Sequence, residues 1–173
     1  MFATYPTLRL RRLRQNPAMR TLVRETELTL HRLILPLFIK GEQGEKQKIS
    51  SMPGHFQIPL SALQEEIKEL LALGISAVIL FGVPAKKDLL GSDSYSDEGI
   101  IQRALRLIRE VAPDLLVITD LCFCEYTSHG HCGIIKNNQI DNDSTLEILA
   151  KQVLVLHPNT VVQFDQHKHF LHR

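Results

Sequence analysis

Hydrophobic positions along the chain alternate between strand-length runs and stretches of helical period. The first apolar run, Leu33 to Ile39 (LILPLFI), has the length of a strand, although Pro36 would interrupt a hydrogen-bond ladder. After a polar stretch with glycines and lysines, Ser61-Ala-Leu-Gln64 carries a capping-box signature, in which the serine oxygen is expected to satisfy an orphan amide. Leu63, Ile67, Leu70 and Leu71 then share one helical face, and Gly74 supplies the stop. Ile75 to Phe81 (ISAVILF) is β-rich and apolar almost throughout, the pattern of a strand buried on both faces. A loop with Gly82, Pro84, Gly91 and several Ser and Asp residues follows. The spacing predicts a second helix from about Asp97 to Val111, with Ile101, Leu105 and Ile108 on one side. Leu115 to Leu121 (LLVITDL) is the third apolar strand, and Ser144-Thr-Leu-Glu147 is a second capping box. Its helix is expected to present Leu146, Leu149, Ala150 and Val153. The order β, α, β, α, β, α with buried-type strands predicts an α/β fold with a parallel sheet.

The two ends differ from this alternation. The first 24 residues hold six arginines (Arg9, Arg11, Arg12, Arg14, Arg20 and Arg24) and no acidic residue. No apolar segment follows them, which argues against a secretory signal. A basic arm that docks on a partner subunit or on its own domain is preferred over an organellar transit peptide. At the other end, HPNTVVQFDQHKHFLHR (residues 157–173) contains four of the eight histidines and no clear helix or strand period. A histidine-rich metal tract and an unselected tail are its two readings.

Composition narrows the classes. At 173 residues, with 44% hydrophobic and 23% charged side chains, the chain has the make-up of one globular domain. Twenty basic against 19 acidic residues give a net charge of +1, and hence no general argument for nucleic acid. The longest apolar uncharged run, Leu70 to Ala85, has 16 residues and includes two glycines and a proline. A bilayer span needs about 20, so no membrane segment is expected. A complete eight-fold β/α barrel usually takes about 250 residues, so length alone disfavours one. The three cysteines are odd in number and clustered between Cys122 and Cys132. That pattern points to reduced thiols in a cytoplasmic setting rather than to a disulfide scaffold.

Candidate chemistry is concentrated in TDLCFCEYTSHGHCG, residues 119–133. If the strand continued, Asp120, Cys122 and Cys124 would point to one side and Leu121 and Phe123 to the other. A turn through Thr127 and Gly130 would bring Cys132 back beside His129 and His131. Three converging thiols suit a soft metal such as zinc, at about 2.3 Å per sulfur, and three ligands leave a coordination position open. Asp120, Ser128, His129 and His131 could tune such an ion from outside the ligand set. Two other readings stand beside this one: a thiol activated by His129 or His131, or cysteines that are merely small buried hydrophobes. The cluster falls where the third strand ends, and ligand sites of parallel α/β folds lie at such ends. By contrast, Gly82-Val-Pro84 and Gly91-Ser92-Asp93-Ser94 lack phosphate-loop spacing, and Lys86 and Lys87 read as solvated.

At these residues the chain resembles the porphobilinogen synthase (δ-aminolevulinic acid dehydratase) family. DLCFCEYTSHGHCG matches that family's zinc-site segment. Further matches are RRLRQNPAMRTLVRET in the arm, LPLFI on the first strand, SMPG at 51–54, AVILFGVPAKKDLLGS after the second strand, and DNDSTLEILAKQ at the last helix. The resemblance covers roughly residues 8 to 152. It implies an eight-fold β/α barrel with an arm that wraps a neighbouring subunit, assembled as a homo-octamer. The implied reaction joins two molecules of 5-aminolevulinate into porphobilinogen, with loss of water, in tetrapyrrole (heme) biosynthesis. Carried over position by position, Cys122, Cys124 and Cys132 would ligate zinc (Zn2+), and Asp120 would line the site beside them.

The departures define the remaining expectations. Gln57 stands where the family usually has an arginine. From Val153 the sequence VLVLHPNTVVQFDQ leaves the family pattern, as a shifted reading frame would. The expected organisation is therefore a basic arm at 1–32, about three β/α units of a TIM-type barrel at 33–152 with the zinc loop at 120–133, and a divergent tail at 153–173. On this reading the chain is truncated before the family's two Schiff-base lysines, and its magnesium site is absent as well. No catalytic residue is assigned, and the chain is expected to be inactive alone. The alternative is a catalytically dead zinc-binding fragment that associates with full-length synthase subunits.

Overall fold

The computed structural model describes Thr4, residues 6–156 and the backbone of residues 161–164. The histidines of the tail lie outside the described side chains. In the arm, 3-10 turns at Leu10–Arg14 and Leu30–Arg32 flank a short helix, α1 (Pro17–Leu22), and none of these three segments buries a residue. Asn16 caps α1 by accepting the Met19 N–H at 2.8 Å.

The body begins with β1 (Leu35–Lys40), a two-residue β2 (Gln47–Lys48) and β3 (Phe56–Pro59). Helix α2 (Leu60–Ala72), β4 (Ala77–Val83), α3 (Ile100–Val111) and β5 (Leu116–Leu121) follow. A small hairpin of β6 (Ile135–Lys136) and β7 (Gln139–Ile140) turns through Asn137 and Asn138, both in the left-handed region that such a two-residue turn requires. Then come α4 (Asn142–Leu156) and β8 (Val161–Phe164). The main sheet has the order β2-β3-β1-β4-β5-β8 and is parallel except for β2. The expected α/β class with a parallel sheet is what the structure has.

Each of α2, α3 and α4 connects strands that step the same way across the sheet. With right-handed crossovers, all three therefore lie on one face. Leu37, Ile39, Val78, Leu80 and Val117 are buried there against Leu63, Ile67, Ala104, Leu105 and Ile108. The strands are thus not buried equally on both sides, as an all-apolar run suggested. The alternate residues Phe38, Ile79, Phe81 and Asp120 are only half-buried. Phe38 and Phe81 stack on this second face, with centroids 5.3 Å apart.

Helix ends depart from the sequence reading for a common reason. Helix α2 begins at Leu60, and no side chain caps it. The Leu60 and Ser61 amides donate instead to the carbonyls of Gly41 and Glu42, at 3.1 and 2.9 Å. With those donors satisfied by the β1–β2 loop, Ser61 has no capping role. At α4 the cap is Asp141, whose carboxylate accepts the Ser144 amide at 3.3 Å, so Ser144 lies inside the helix. Helix α3 starts at Ile100 rather than near Asp97, and Asp93 accepts its first amide at 3.1 Å. Gly74 does end α2: at φ +83° it lets the Ile75 amide reach back to the Leu70 carbonyl at 3.0 Å. Two helical faces also shift. Leu71 is 40% exposed, and α4 buries Thr145, Gln152 and Leu156 while Leu146 stands 57% exposed. Finally, a parallel strand, β8, occupies part of the stretch in which the sequence suggested no strand period.

Candidate metal centre

Strand β5 ends at Leu121, one residue before the first cysteine. Cys122 and Cys124 therefore do not share a strand face, as simple alternation predicted. A tight turn brings them together instead: the Tyr126 and Thr127 amides both donate to the Phe123 carbonyl, at 2.8 and 2.9 Å. Phe123 and Tyr126 are buried, 0% and 4% exposed, and act as two anchors. Cys124 and Glu125 lie between them at the half-buried tip.

The return of the chain is fixed just as locally. Thr127 Oγ1 donates to the His131 carbonyl at 3.0 Å, across a turn in which Gly130 takes φ +72°. Beyond Cys132, the Ile134 amide donates to Thr145 Oγ1 at 2.9 Å, and that hydroxyl donates to the Asp141 carbonyl at 2.7 Å. Gly133 is required at this crossing, because a Cβ there would meet Ile140 Cγ2 at 2.8 Å. The first turn of α4 thus holds Cys132 in place. The β4–α3 loop braces the other side, where the Ser128 amide donates to the Asp88 carbonyl at 2.8 Å.

Cys122 stands in contact with both of the other thiols. Cys122 Sγ is 3.0 Å from Cys124 Sγ and 3.2 Å from Cys132 Sγ, and all three cysteines are free. Tetrahedral thiolates at metal–sulfur bonds of about 2.3 Å stand about 3.8 Å apart, so these two contacts would open by roughly 0.6–0.8 Å around an ion. A donor the spacing did not single out joins them. The ligand atoms of Cys122, Cys124 and Glu125 all lie within 4.8 Å of one another, and Cys132 connects to this group through Cys122. Three soft sulfurs and one carboxylate fit a borderline divalent ion.

Electrostatics divide the thiols. Cys132 is lowered to about 6, first by the hydrogen bond from Cys122 and further by the Phe123 and Cys124 amides. The same contact, with burial, pushes the Cys122 thiol up. Burial chiefly raises Cys124, and the negative charges of Glu125, Cys132 and Asp120 add to it. Cys132 is therefore the thiol of the set most readily ionised.

Asp120 lies near the C-terminal end of β5 on the half-open sheet face, close enough for its charge to act on Cys124 and Cys132. The two histidines pair with each other instead of with sulfur. Their rings stack at 5.7 Å, and the His131 amide donates to His129 Nδ1 at 3.1 Å. Among the described residues neither imidazole is bonded to a thiol, so the geometry of a Cys–His nucleophile pair is not formed. Lys86 and Lys87 are exposed, as expected.

Fold and site together define a parallel α/β protein with a thiol-rich, metal-competent centre at the C-terminal end of a sheet strand. Comparison with known proteins narrows that class. The profile of the family described as Delta-aminolevulinic acid dehydratase matches residues 7–159. The Delta-aminolevulinic acid dehydratase of Halalkalibacterium halodurans is 50% identical over 141 residues, which is 82% of this chain and 43% of that protein. The enzyme of the same name from Helicobacter pylori is 50% identical over 149 residues, 86% of this chain and 46% of its own length. Among solved structures, porphobilinogen synthase of Toxoplasma gondii, in complex with its reaction product porphobilinogen, aligns at a TM-score of 0.84 and 32% identity. That alignment covers 91% of this chain and 46% of the other. The chain belongs to the delta-aminolevulinic acid dehydratase family, and it spans less than half the length of the relatives it matches. No described helix is long and apolar enough to cross a membrane.

Proposed function

We propose that this chain carries the metal-loop part of a zinc-dependent porphobilinogen synthase, the enzyme that joins two 5-aminolevulinate molecules into porphobilinogen. The carrying observation is the convergence of Cys122, Cys124 and Cys132 at the end of β5 in a chain of this family. In this reading β1, β4 and β5 are the first strands of an eight-fold β/α barrel, and the arm serves assembly into a homo-oligomer. Its reduced thiols suit the cytoplasm.

Cys122, Cys124 and Cys132 would hold the zinc, which supplies Lewis acidity toward the second substrate or its water. The chain's own residues prepare that site. Cys132 gives up its proton most readily, because hydrogen bonds from Cys122 and from backbone amides favour its thiolate. Phe123 and Tyr126 exclude water from beneath the loop, and Asp120 offers a carboxylate to the sheet face on which substrate would lie. The nucleophilic half of the reaction needs a desolvated lysine amine. None of the described lysines is buried. These 173 residues are therefore proposed to hold zinc without completing the condensation by themselves.

The purified, reduced chain is expected to bind one zinc per chain, to lose it in Cys124→Ala, and to release no porphobilinogen from 5-aminolevulinate. Porphobilinogen formation at an ordinary enzymatic rate would overturn the division of labour. Failure to bind zinc would overturn the site.

A further inference from the structure

With α2, α3 and α4 all on one face, the sheet is singly wound. Parallel sheets of that kind close on themselves at eight strands, with the helix-free face turned inward. The strands that these helices join are β1, β4, β5 and β8, half of such a cylinder. Their helix-free face carries Phe38, Ile79, Phe81 and Asp120, all half-buried, together with Ile118. This half-cylinder has two borders. β8 stands at one of them and pairs with no described strand beyond β5. At the other, β3 takes only Phe38–Lys40 of β1 and leaves Leu35–Leu37 without a described partner on that side. Both border strands run in the same direction. The β8 of one copy can therefore pair in parallel with the β1 of another. A two-fold axis along the strands makes that pairing twice, and the contact is closed. It joins eight strands and leaves neither border free.

We infer that the helix-free sheet face is a docking surface for a second copy of this chain, each copy supplying four strands of one eight-stranded barrel. The inference rests on the barrel reading given above and takes nothing from the zinc site. A second copy fits because it brings both missing borders at once, with the same strand number and the same helix-free face. The symmetry also makes a specific demand. β4 and its symmetry mate are both even-numbered strands of the cylinder, and alternate strands fill one layer. Phe81 of each copy therefore stands at one height on opposite walls, and the Phe38–Phe81 stack, at 5.3 Å, becomes interior. Leu154 on α4, 74% exposed, stays outside the cylinder. So does the arm, whose contacts are a separate matter.

The test is sedimentation velocity of the full, reduced chain over a concentration series, with hydrogen exchange of the amides in residues 33–37 followed over the same range. A reversible dimer is expected, with exchange in that segment slowing as the dimer forms. Phe81→Asp and Phe81→Lys should each weaken the dimer by at least about tenfold, because each buries a charge opposite its like. Mixing the two variants in equal amounts should restore association, since the two-fold axis sets unlike charges against each other. Leu154→Asp should dimerise as wild type does. If the Phe81 variants do not fold, Ile79→Asp and Ile79→Lys make the same comparison on the same strand. A chain that stays monomeric at every concentration would overturn the inference. So would a dimer that neither charge variant weakens, which would place the contact on the arm, or one that the mixture fails to restore. Zinc titration of the same samples separates the two readings. A monomer that binds zinc removes this inference and leaves the metal site, whereas a charge-sensitive dimer without zinc does the reverse.

Discussion

Gly82 shows how a single missing side chain positions the metal loop. A Cβ at this position would meet Tyr126 Oη at 2.4 Å, Ile100 Cγ2 at 2.9 Å and Ile101 Cγ1 at 3.0 Å. The constraint is one of space, since Gly82 is not in the left-handed region. Tyr126 anchors the turn that holds Cys124 and Glu125, so crowding at β4 is passed directly to the donors. Gly82→Ala is expected to lower stability by about 1–3 kcal/mol, the usual range for overpacking, and to weaken zinc binding. Urea unfolding and chelator competition measure the two effects, and adding Tyr126→Phe should recover part of each by removing the closest clash. Little of this was legible in the sequence, where Gly82 reads as loop punctuation and Tyr126 as one more residue between cysteines. The cysteines themselves were legible, because C-x-C followed by a glycine-containing return is a local pattern. Glu125 was not: its partnership depends on which neighbours the core claims, and only packing decides that Phe123 and Tyr126 turn inward.

The β4–α3 loop belongs to the scale of elements. The Asp88 carboxylate accepts the Leu90 and Ser92 amides at 2.8 and 3.1 Å and also the Ser92 hydroxyl. Those bonds, led by the Ser92 hydroxyl, hold Asp88 below its ordinary carboxylate value. A depressed folded value means that the contribution is complete above the unfolded pKa and is lost as pH falls through the folded one. The loop should therefore loosen in acid. Exchange of the Leu90 and Ser92 amides, corrected for intrinsic rate, is expected to accelerate below about pH 4, and in Asp88→Asn to be faster at neutral pH and insensitive to acid. An unchanged acid dependence in Asp88→Asn would assign the effect elsewhere. Elements of this kind mark where sequence reading stops. The amphipathic period of α2 and α3 was readable because a helix repeats its own pattern. Their first turns were not, because the groups that satisfy them, the Gly41 and Glu42 carbonyls and the Asp93 carboxylate, come from other segments.

Across the whole molecule, the alternation of apolar runs was enough to predict a parallel α/β sheet, and motif resemblance was enough to predict the family. Strand β3 was missed because Phe56–Pro59 is too short to show a period, and β8 because its neighbours look irregular in sequence. The arm contributes no buried side chain over Leu10–Leu22, while Leu10, Leu22 and Leu28 are 67%, 79% and 80% exposed. Removing residues 1–28 is thus expected to move the thermal midpoint by less than about 2 °C while reducing self-association in sedimentation velocity. A large loss of stability would place the arm in the core. One last consequence comes from strand register. β4 pairs with all six residues of β1, but β3 pairs only with Phe38–Lys40. On that side Leu35–Leu37 face no other described strand, and Pro36 within them has no amide proton to give. A strand arriving there finds a notch rather than an edge, whereas β8 stands at the sheet's other border. In the barrel reading proposed above, that unpaired half of β1 is where the closing strand would have to pair.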